Sequence, residues 1–269
     1  MENSWLVFTD LDGTLLDAQN YSFAPAWPAV RLLKGKKIPV VPCTSKTHRE
    51  VIFLRRQLGL KDPFIVENGS AVFVPRGYFA QPVSEYEMEG HEILLLGKKH
   101  EEILHCFEKM RQNFKLRIRG FSEMSLEEIR KHTGLPEDQA RLARERFFSE
   151  PFISNHNLND LPELKAYLKE KGCRLLRGNR FYHLLGNTDK GRAVNVLHHL
   201  FEAIEKRKFR TLGLGDSKND EDLLTAVDQP VLVKRPDGGY GSHLSLPHLY
   251  KTEQPGPRGW REAIEHFVS

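Results

Sequence analysis

The stretch that decides the fold is FTDLDGTL, residues 8–15, which closes a short apolar segment starting at Trp5. An apolar run that ends in a polar, glycine-containing turn is typical of a strand buried on both faces. The stretch places Asp10 and Asp12 at the carboxyl end of that strand, where α/β sheets bind their ligands. Two such carboxylates repel each other unless a cation or a shared proton relieves them. The pair predicts a site for an oxygen-binding metal such as Mg²⁺; the alternative is a plain polar turn with Gly13 at positive φ.

Strand and helix signals alternate around this stretch. Apolar runs predict further strands at residues 38–43, 64–67, 209–214 and 230–234, and amphipathic segments predict helices at residues 26–33, 47–58, 191–207, 220–227 and 259–267. Short strands without polar alternation favour a parallel sheet that is covered by helices on both faces. The predicted class is therefore α/β, with a doubly wound parallel-sheet core.

The middle of the chain has a different pattern. It mixes predicted strands at residues 91–96, 116–120 and 181–185 with predicted helices at residues 100–114 and 161–171. We interpret this region as an α+β cap inserted into the parallel core. The expected division is a core of residues 1–83 and 187–269 with a cap of residues 84–186, and each part has an ordinary size for a domain.

Composition argues against several classes of protein. The chain has 269 residues and a net charge of +4, and its basic residues are scattered rather than gathered into the stripe that nucleic-acid binding needs. No apolar run reaches the roughly 18 residues of a membrane span, and residues 1–4 do not resemble a signal peptide. Cys43, Cys106 and Cys173 are odd in number and far apart, which argues against a disulfide framework or a zinc site. We expect a cytoplasmic protein that binds a small molecule rather than a nucleic acid or a membrane.

A second acidic segment follows the predicted strand 209–214. The sequence GLGDSKND, residues 213–220, supplies Asp216 and Asp220 around a helix start. A dinucleotide-binding fingerprint would need glycine where Lys218 stands, and an EF-hand loop would need glycine where Glu221 stands. The alternative to a ligand site is an acidic helix N-terminus stabilised by the helix dipole.

Two further segments suit a phosphate group. Thr44 and Ser45 follow the strand 38–43 and offer hydroxyl and backbone N–H groups near a helix N-terminus. Lys190 opens the helix 191–207, where its compact positive charge could meet the same anion. The alternatives are a helix cap for Thr44 and a surface position for Lys190.

Taken in chain order, these four segments resemble the signatures of the haloacid dehalogenase superfamily of phosphohydrolases. The insert is similar to the large cap of the sugar-phosphatase branch of that superfamily. Further segments at residues 43–47, 67–69, 148–151, 178–181, 233–238 and 256–260 are similar to the mannosyl-3-phosphoglycerate phosphatases, a narrower group within it. Thr44-Ser45-Lys46 departs from the Thr-Gly-Arg of generic sugar phosphatases in the direction of that group.

The resemblance implies a chemistry for these residues. Asp10 would attack phosphorus and form an aspartyl-phosphate, and Asp12 would act as the general acid and base. Asp10, Asp12 through its main-chain carbonyl, and Asp216 would hold Mg²⁺, while Asp220 would orient the site or bind the metal through water. The phosphate oxygens would be bound by Thr44, Ser45, Lys190 and Asn219.

The resemblance also implies a substrate, mannosyl-3-phosphoglycerate, whose hydrolysis gives phosphate and mannosylglycerate, a compatible solute. For the sugar and glycerate we expect contacts from Ser149, Glu150 and Lys46, together with Arg180 and His183, which are expected to share one face of a cap strand. An ordinary surface arginine and a core histidine are the alternatives for the last two. Alternative activities are hydrolysis of glucosyl-3-phosphoglycerate or sucrose phosphate, a phosphomutase, and a catalytically dead binding module.

Overall fold

The computed structural model describes residues 4–178 and 180–268, so residues 1–3 of the opening segment and Asn179 of the segment 178–181 lie outside the described part. The strands are β1 (Ser4–Thr9), β2 (Val40–Pro42), β3 (Phe64–Val66), β4 (Ala71–Pro75), β5 (Glu87–Met88), β6 (His91–Leu95), β7 (Ile118–Gly120), β8 (Ser149–Ser154), β9 (Cys173–Arg177), β10 (Tyr182–Gly186), β11 (Phe209–Gly215), β12 (Gln229–Lys234) and β13 (Tyr250–Pro255). The helices are α1 (Trp27–Gly35), α2 (His48–Leu58), α3 (His100–Asn113), α4 (Leu126–Thr133), α5 (Glu137–Arg144), α6 (Pro162–Glu170), α7 (Lys190–Glu205), α8 (Glu221–Thr225) and α9 (Gly256–Val268). Within the described ranges, none of these helices is long and apolar enough to cross a bilayer.

The core is a five-stranded parallel sheet in the order β13-β12-β11-β1-β2. Side chains of β1 alternate between two apolar layers: Leu6 and Phe8 pack toward α7 and α8, whereas Val7 packs toward α1, α2 and α9. Because a strand points successive side chains to opposite faces, a sheet covered on both sides needs this fully apolar run. The arrangement confirms the predicted doubly wound α/β core.

β3 does not continue the parallel sheet as its sequence suggested. A single parallel bridge joins Cys43 to Ile65, and β3 then pairs antiparallel with β4. The sequence interpretation also omitted β4 and the edge strand β13. The latter has the polar sequence YKTEQP, and only Thr252 on it is fully buried, so it lacks the apolar pattern of a strand.

The strand predicted at residues 91–96 belongs to the core rather than to the cap. β6 pairs with β4, and β5 pairs with β6, so these strands extend the second sheet that starts at β3. The backbone N–H groups of Leu96 and Gly97 both donate to the carbonyl of Ser70, at 2.9 Å each, and prolong that attachment. We therefore infer that the cap begins near residue 98 instead of residue 84.

The cap is built on a four-stranded antiparallel sheet in the order β7-β8-β10-β9. α3 and α6 cover one face with their own apolar cluster, and the α4–α5 pair packs beside Phe121. The chain enters and leaves the cap at Gly97 and Gly186, which lie against each other. A Cβ atom on Gly186 would lie 2.7 Å from the backbone nitrogen of Lys98, so this close crossing requires glycine.

Candidate active site

Three charged side chains meet at the carboxyl edge of the core sheet. The Nζ atom of Lys190 lies 2.7 Å from Oδ1 of Asp10 and 2.7 Å from Oδ1 of Asp220. All three side chains are almost fully buried. They come together because β1 and β11 are parallel neighbours, and α7 begins beside the ends of both strands. Buried charges of this kind are stable only when each has its partner.

The backbone at Asp10 is held from two sides. Its N–H donates to the carbonyl of Leu214 on β11, at 2.9 Å. Its carbonyl accepts the hydroxyl of Thr9, at 2.7 Å, and that hydroxyl oxygen accepts the indole N–H of Trp260 on α9, at 2.9 Å. Asp10 is therefore positioned by β11 on one side and, through Thr9 of its own strand, by α9 on the other.

Asp220 has both of its carboxylate oxygens engaged. Oδ1 accepts from Lys190, and Oδ2 accepts the backbone N–H groups of Asp216 and Ser217, at 3.1 Å each. These bonds shape the turn after β11 and shorten the predicted helix 220–227 to α8, which a 3₁₀ turn precedes. Such an arrangement suits a residue that orients its neighbours more than one that binds a metal directly.

The acidic cluster as a whole fits a hard divalent cation. Asp10, Asp216 and Asp220 each offer a carboxylate oxygen, and these oxygens lie within 4.8 Å of one another. Oδ1 of Asp216 and Oδ1 of Asp12 are buried and have no hydrogen-bond partner among the described residues. An all-oxygen set with unpartnered carboxylate atoms has the donor chemistry that Mg²⁺ requires. Gly13, at φ +81°, leaves the space, because a Cβ there would lie 2.9 Å from Oδ2 of Asp216.

The acidic cluster shifts the pKa values of its members. Burial raises the pKa of Asp10, and the nearby Asp220 raises it further, although Lys190 acts in the opposite direction. Burial and Asp220 also raise the pKa of Asp216, to about 7. The pKa of Lys190 is raised by Asp10 and Asp220 in spite of burial, which acts against its charge. The lysine is therefore cationic, and a bound divalent cation would favour the ionised carboxylates.

Asp12 is the partly exposed member of the site, with 40% of its side chain accessible. Its Oδ2 lies 3.0 Å from Nζ of Lys46, which also lies 3.4 Å from Oε1 of Glu50. The lysine is buried, and these two carboxylates raise its pKa against the effect of that burial. Lys46 thus lies at the site, with its charge paired with protein carboxylates, and its expected contact with a glycerate stays a prediction.

The other expected phosphate-binding residues lie near this cluster. Ser45 and Asn219 line the cavity above it. Thr44 is buried, and its hydroxyl oxygen accepts the backbone N–H of Lys46, at 3.2 Å. The helix cap that was the alternative role for Thr44 is instead provided by Thr47, which forms a capping box with Glu50 at the start of α2.

A cavity of about 290 Å³ separates the core from the cap. Its cap wall includes a row across the antiparallel sheet, in which His183 on β10 stands between Pro151 on β8 and Leu176 on β9. His183 is 8% exposed, and its Nδ1 atom has no partner among the described residues. Burial lowers the pKa of His183 to about 3, with a contribution from Arg146, so the imidazole is neutral at physiological pH.

Arg180 also lines the cavity, but for a reason other than the predicted one. β10 begins at Tyr182, so Arg180 precedes the strand. Moreover, residues three positions apart on a strand point to opposite faces, so alternation could not have placed Arg180 beside His183. The turn before β10 brings it to the cavity instead, where Nη1 donates to the carbonyl of Thr133.

Ser149 and Glu150 differ from the expectation that they contact the sugar. The hydroxyl of Ser149 donates to the carboxylate of Glu67, at 2.6 Å. The carboxylate of Glu150 accepts the backbone N–H and hydroxyl of Ser122, at 2.8 and 2.7 Å, and lies 2.8 Å from Nε2 of His100. Both side chains are fully buried and their polar atoms are used inside the protein, so they build the cap rather than face its cavity.

The cavity wall also contains residues that sequence reasoning did not assign to the site, among them Arg146 and Asn68. Asn68 is 1% exposed, and both polar atoms of its amide lack a partner among the described residues. It lies between Glu67 and Gly69, and all three residues have positive φ, at +47°, +58° and +88°. The Asn-Gly pair was a signal for such a turn, because these two residues tolerate positive φ best.

Comparisons with known proteins agree with this geometry. The family model described as haloacid dehalogenase-like hydrolase matches residues 7–237. A curated relative from Persephonella marina, named glucosyl-3-phosphoglycerate/mannosyl-3-phosphoglycerate phosphatase, is 44% identical over 265 residues, which cover 98% of this chain and 97% of the relative. A relative of the same name from Methanococcoides burtonii is 36% identical, with coverage of 98% and 97%.

Solved structures share the fold at low sequence identity. The sucrose-phosphatase of Synechocystis has a TM-score of 0.64 at 18% identity, with 99% of this chain and 100% of that chain covered. A haloacid dehalogenase-like hydrolase from B. subtilis has a TM-score of 0.66 at 18% identity, with coverage of 98% and 99%. Both align along nearly the whole chain, cap included.

Proposed function

The chain belongs to the haloacid dehalogenase-like hydrolase family and is a phosphoric monoester hydrolase, and from this premise we propose that its substrate is a glycosyl-3-phosphoglycerate. The first candidate is mannosyl-3-phosphoglycerate, hydrolysed to mannosylglycerate and phosphate. The second is the glucosyl compound, because the two relatives carry both substrates in their names. The observation that supports the chemistry most directly is the buried contact of Lys190 with Asp10 and Asp220, beside the partly exposed Asp12.

The proposed reaction has two steps. A carboxylate oxygen of Asp10 forms a bond to phosphorus while the bond from phosphorus to the glycerate oxygen breaks, and Asp12 donates its proton to that leaving oxygen. Asp12 then takes a proton from a water molecule, whose oxygen attacks phosphorus and releases Asp10 and inorganic phosphate. Lys190 holds Oδ1 of Asp10, which leaves the second oxygen for the attack.

Mg²⁺ is the proposed cofactor, held by Asp10, Asp216 and the main-chain carbonyl of Asp12. When bound, it supplies positive charge that neutralises the oxygens of the phosphoryl group. Within the protein, Lys190 balances the charge of Asp10 and Asp220, and Ser45, Thr44 and Asn219 are proposed to bind phosphate oxygens.

The cap is proposed to exclude water and to select the leaving group. Contacts that hold it against the core include the hydroxyl of Thr47, which donates to the carbonyl of Leu142 at 3.0 Å, and the guanidinium of Arg146, which donates to the carbonyl of Ser45 at 2.7 Å. The second contact joins two residues of the cavity wall. The cytoplasmic location and the lack of nucleic-acid or membrane partners stay predictions.

Phosphate release from a panel of esters tests the proposal. Mannosyl-3-phosphoglycerate, glucosyl-3-phosphoglycerate and sucrose 6-phosphate are compared at matched concentrations, and one of the first two is expected to give the highest kcat/KM. A flat profile would contradict the substrate assignment. Stoichiometric formation of the glycosylglycerate together with phosphate distinguishes a hydrolase from a phosphomutase or an inactive binding module. EDTA is expected to abolish the release and added Mg²⁺ to restore it; a rate that EDTA leaves unchanged would remove the metal from the scheme.

A further inference from the structure

Among the described residues, the cavity wall holds four cationic side chains, namely Lys46, Arg146, Arg180 and Arg235. Those on the core side already face carboxylates. Lys46 pairs with Asp12 and Glu50, and Nε of Arg235 lies 3.8 Å from Oδ2 of Asp216. The other two, Arg146 and Arg180, belong to the cap. In residues 4–178 and 180–268, neither has a carboxylate within ion-pair distance. The cap therefore presents uncompensated positive charge to the cavity.

Of the two cap arginines, Arg146 is the one that is held in place. Its Nε donates to the carbonyl of Ala143, at 3.0 Å, and its Nη1 donates to the carbonyl of Ser45 across the cavity rim, at 2.7 Å. Its guanidinium also lies 6.0 Å from the ring centroid of Phe121. Arg180 is exposed and bonds only to the carbonyl of Thr133 among the described residues.

Arg146 keeps donors for a ligand. A guanidinium has five N–H groups in a planar fork, and backbone carbonyls use two of those on Arg146. The fork matches the two oxygens of a carboxylate. Because its present partners are neutral carbonyls, no protein anion in the described part of the chain would compete with a ligand carboxylate for the charge of Arg146.

Two buried polar groups on the same cavity indicate that a polar ligand completes it. They are Nδ1 of His183 and the whole amide of Asn68, which have no partner among the described residues. A buried polar atom without a partner costs free energy, so native proteins rarely leave one unless a ligand or water satisfies it. Arg146 lines the same cavity as both of these groups.

We propose that Arg146 binds the carboxylate of the glycerate and is the residue by which the cap selects an acidic leaving group. This inference rests on the proposed function. In a glycosyl-3-phosphoglycerate, carbon 3 bears the phosphate, carbon 2 the sugar and carbon 1 the carboxylate. Arg146 bonds to the carbonyl of Ser45, whose neighbour Lys46 contacts the general acid Asp12. The guanidinium thus lies near the leaving oxygen, where a carboxylate on the same three-carbon unit can reach it.

A cycle of two substrates and several variants tests the assignment. The substrates are mannosyl-3-phosphoglycerate and its primary amide at carbon 1, and the variants are Arg146→Met, Arg146→Lys and the matched control Arg144→Met. Arg144 is an exposed arginine at the end of α5. We expect the ratio of kcat/KM for acid over amide to be about 100 in the wild type and in Arg144→Met, near 1 in Arg146→Met, and intermediate in Arg146→Lys. Each ratio is internal to one protein, so a loss of folded fraction cancels.

A wild-type ratio in Arg146→Met would overturn the inference, because the carboxylate would then be bound elsewhere and Arg146 would only fasten the cap. Equal losses of kcat/KM on the acid and on the amide in Arg146→Met would likewise overturn the inference. Either result leaves the proposed function standing, since the wild type still hydrolyses the acid. If the wild type releases no phosphate from either glycosyl-3-phosphoglycerate, the proposed function itself fails, and that failure is visible before any variant is made.

Discussion

The core and cap walls of the cavity hold their charges in different ways. On the core wall, Lys190 bonds to Asp10 and Asp220, and Lys46 bonds to Asp12, so cations and carboxylates neutralise one another. On the cap wall, Arg146 is bonded only to carbonyls among the described residues. The charges of the core wall are thus paired within the protein, whereas the charge of Arg146 has no anionic partner in the part of the chain that the structure describes. This difference matches the proposed division between a core that performs the chemistry and a cap that selects the leaving group.

Replacing Asp10, the proposed nucleophile, should abolish the reaction while the protein stays folded. We expect Asp10→Asn to lower kcat by about 10⁴-fold or more, because the amide keeps the shape of the side chain but cannot form the aspartyl-phosphate. Steady-state phosphate release measures the loss, and thermal unfolding checks the fold. Asp138→Asn, at an exposed position on α5, is the control. More than a few per cent of wild-type activity in purified Asp10→Asn would refute the role.

Removing the positive charge of Lys190 should destabilise the core. Lys190→Met leaves Asp10 and Asp220 buried without their common partner, so we expect the free energy of unfolding to fall by about 3–5 kcal/mol. Urea unfolding in the presence of EDTA measures this change without compensation by a metal. Lys218→Met removes an exposed lysine near the same turn and should change stability little. A loss below about 1 kcal/mol in Lys190→Met would mean that the pairing is not what stabilises the two carboxylates.

Glu67 joins the core to residues 147–149 at the cap, and a variant of it tests how the two parts are held together. Its buried carboxylate accepts the backbone N–H groups of Phe147 and Phe148, at 3.0 and 3.2 Å, and the hydroxyl of Ser149. Glu67→Gln should lower the free energy of unfolding by about 2–3 kcal/mol. The neutral amide keeps only one acceptor oxygen, and its NH₂ group would face donors whose hydrogen bonds the carboxylate now accepts.

Ser149→Ala is the matched variant, since it removes one of those three bonds and should cost about 1 kcal/mol. Urea unfolding compares the two, and hydrogen exchange of cap amides shows whether the loss is local. Equal effects of Glu67→Gln and Ser149→Ala would contradict a joint that depends on the charge of Glu67.

The smallest expected effect concerns pH and the cap wall. The pKa of His183 is about 3 in the folded protein and has an ordinary value of 6.5, so the unfolded state binds more protons between these values. Its contribution to stability is therefore complete above pH 6.5 and declines as the pH falls toward 3. Between pH 7 and pH 5, we expect the free energy of unfolding to fall by about 2 kcal/mol less in His183→Asn than in the wild type. His132→Asn, at an exposed cap position, should keep the wild-type slope; an unchanged slope in His183→Asn would show that the histidine is not buried in its neutral form.

The core was predictable from sequence for a physical reason. Buried parallel strands are continuous apolar runs, and the polar residues that follow them lie at one edge of the sheet. Asp10 and Asp216 follow such runs directly, and Lys190 begins the long helix next to them. The structure brings these residues together, and the catalytic roles given to them stay predictions.

The cap was less predictable because its polar residues look alike in the sequence and differ only in the partners that the fold gives them. Arg144 and Arg146 stand in one charged segment, RLARERF, and only the fold turns Arg146 to the cavity. Glu150 looked available for a sugar because no local pattern shows that Ser122 and His100 would occupy its oxygens. β6 was assigned to the cap for a similar reason, since it pairs with β4 across the connecting residues 76–90, and periodicity does not reveal that pairing.

The insertion of the cap has a consequence for biosynthesis. β1 leaves the ribosome before the cap does, yet one of its two neighbours is β11, with Ser4 opposite Phe209. The cap lies between them as one uninterrupted segment, whose strands need only each other. Contacts between nearby segments form with less loss of chain entropy, so we expect the cap to fold first, while β1 waits with one edge unpaired. For that interval, the nascent protein depends on its open strand edge staying clear of other chains.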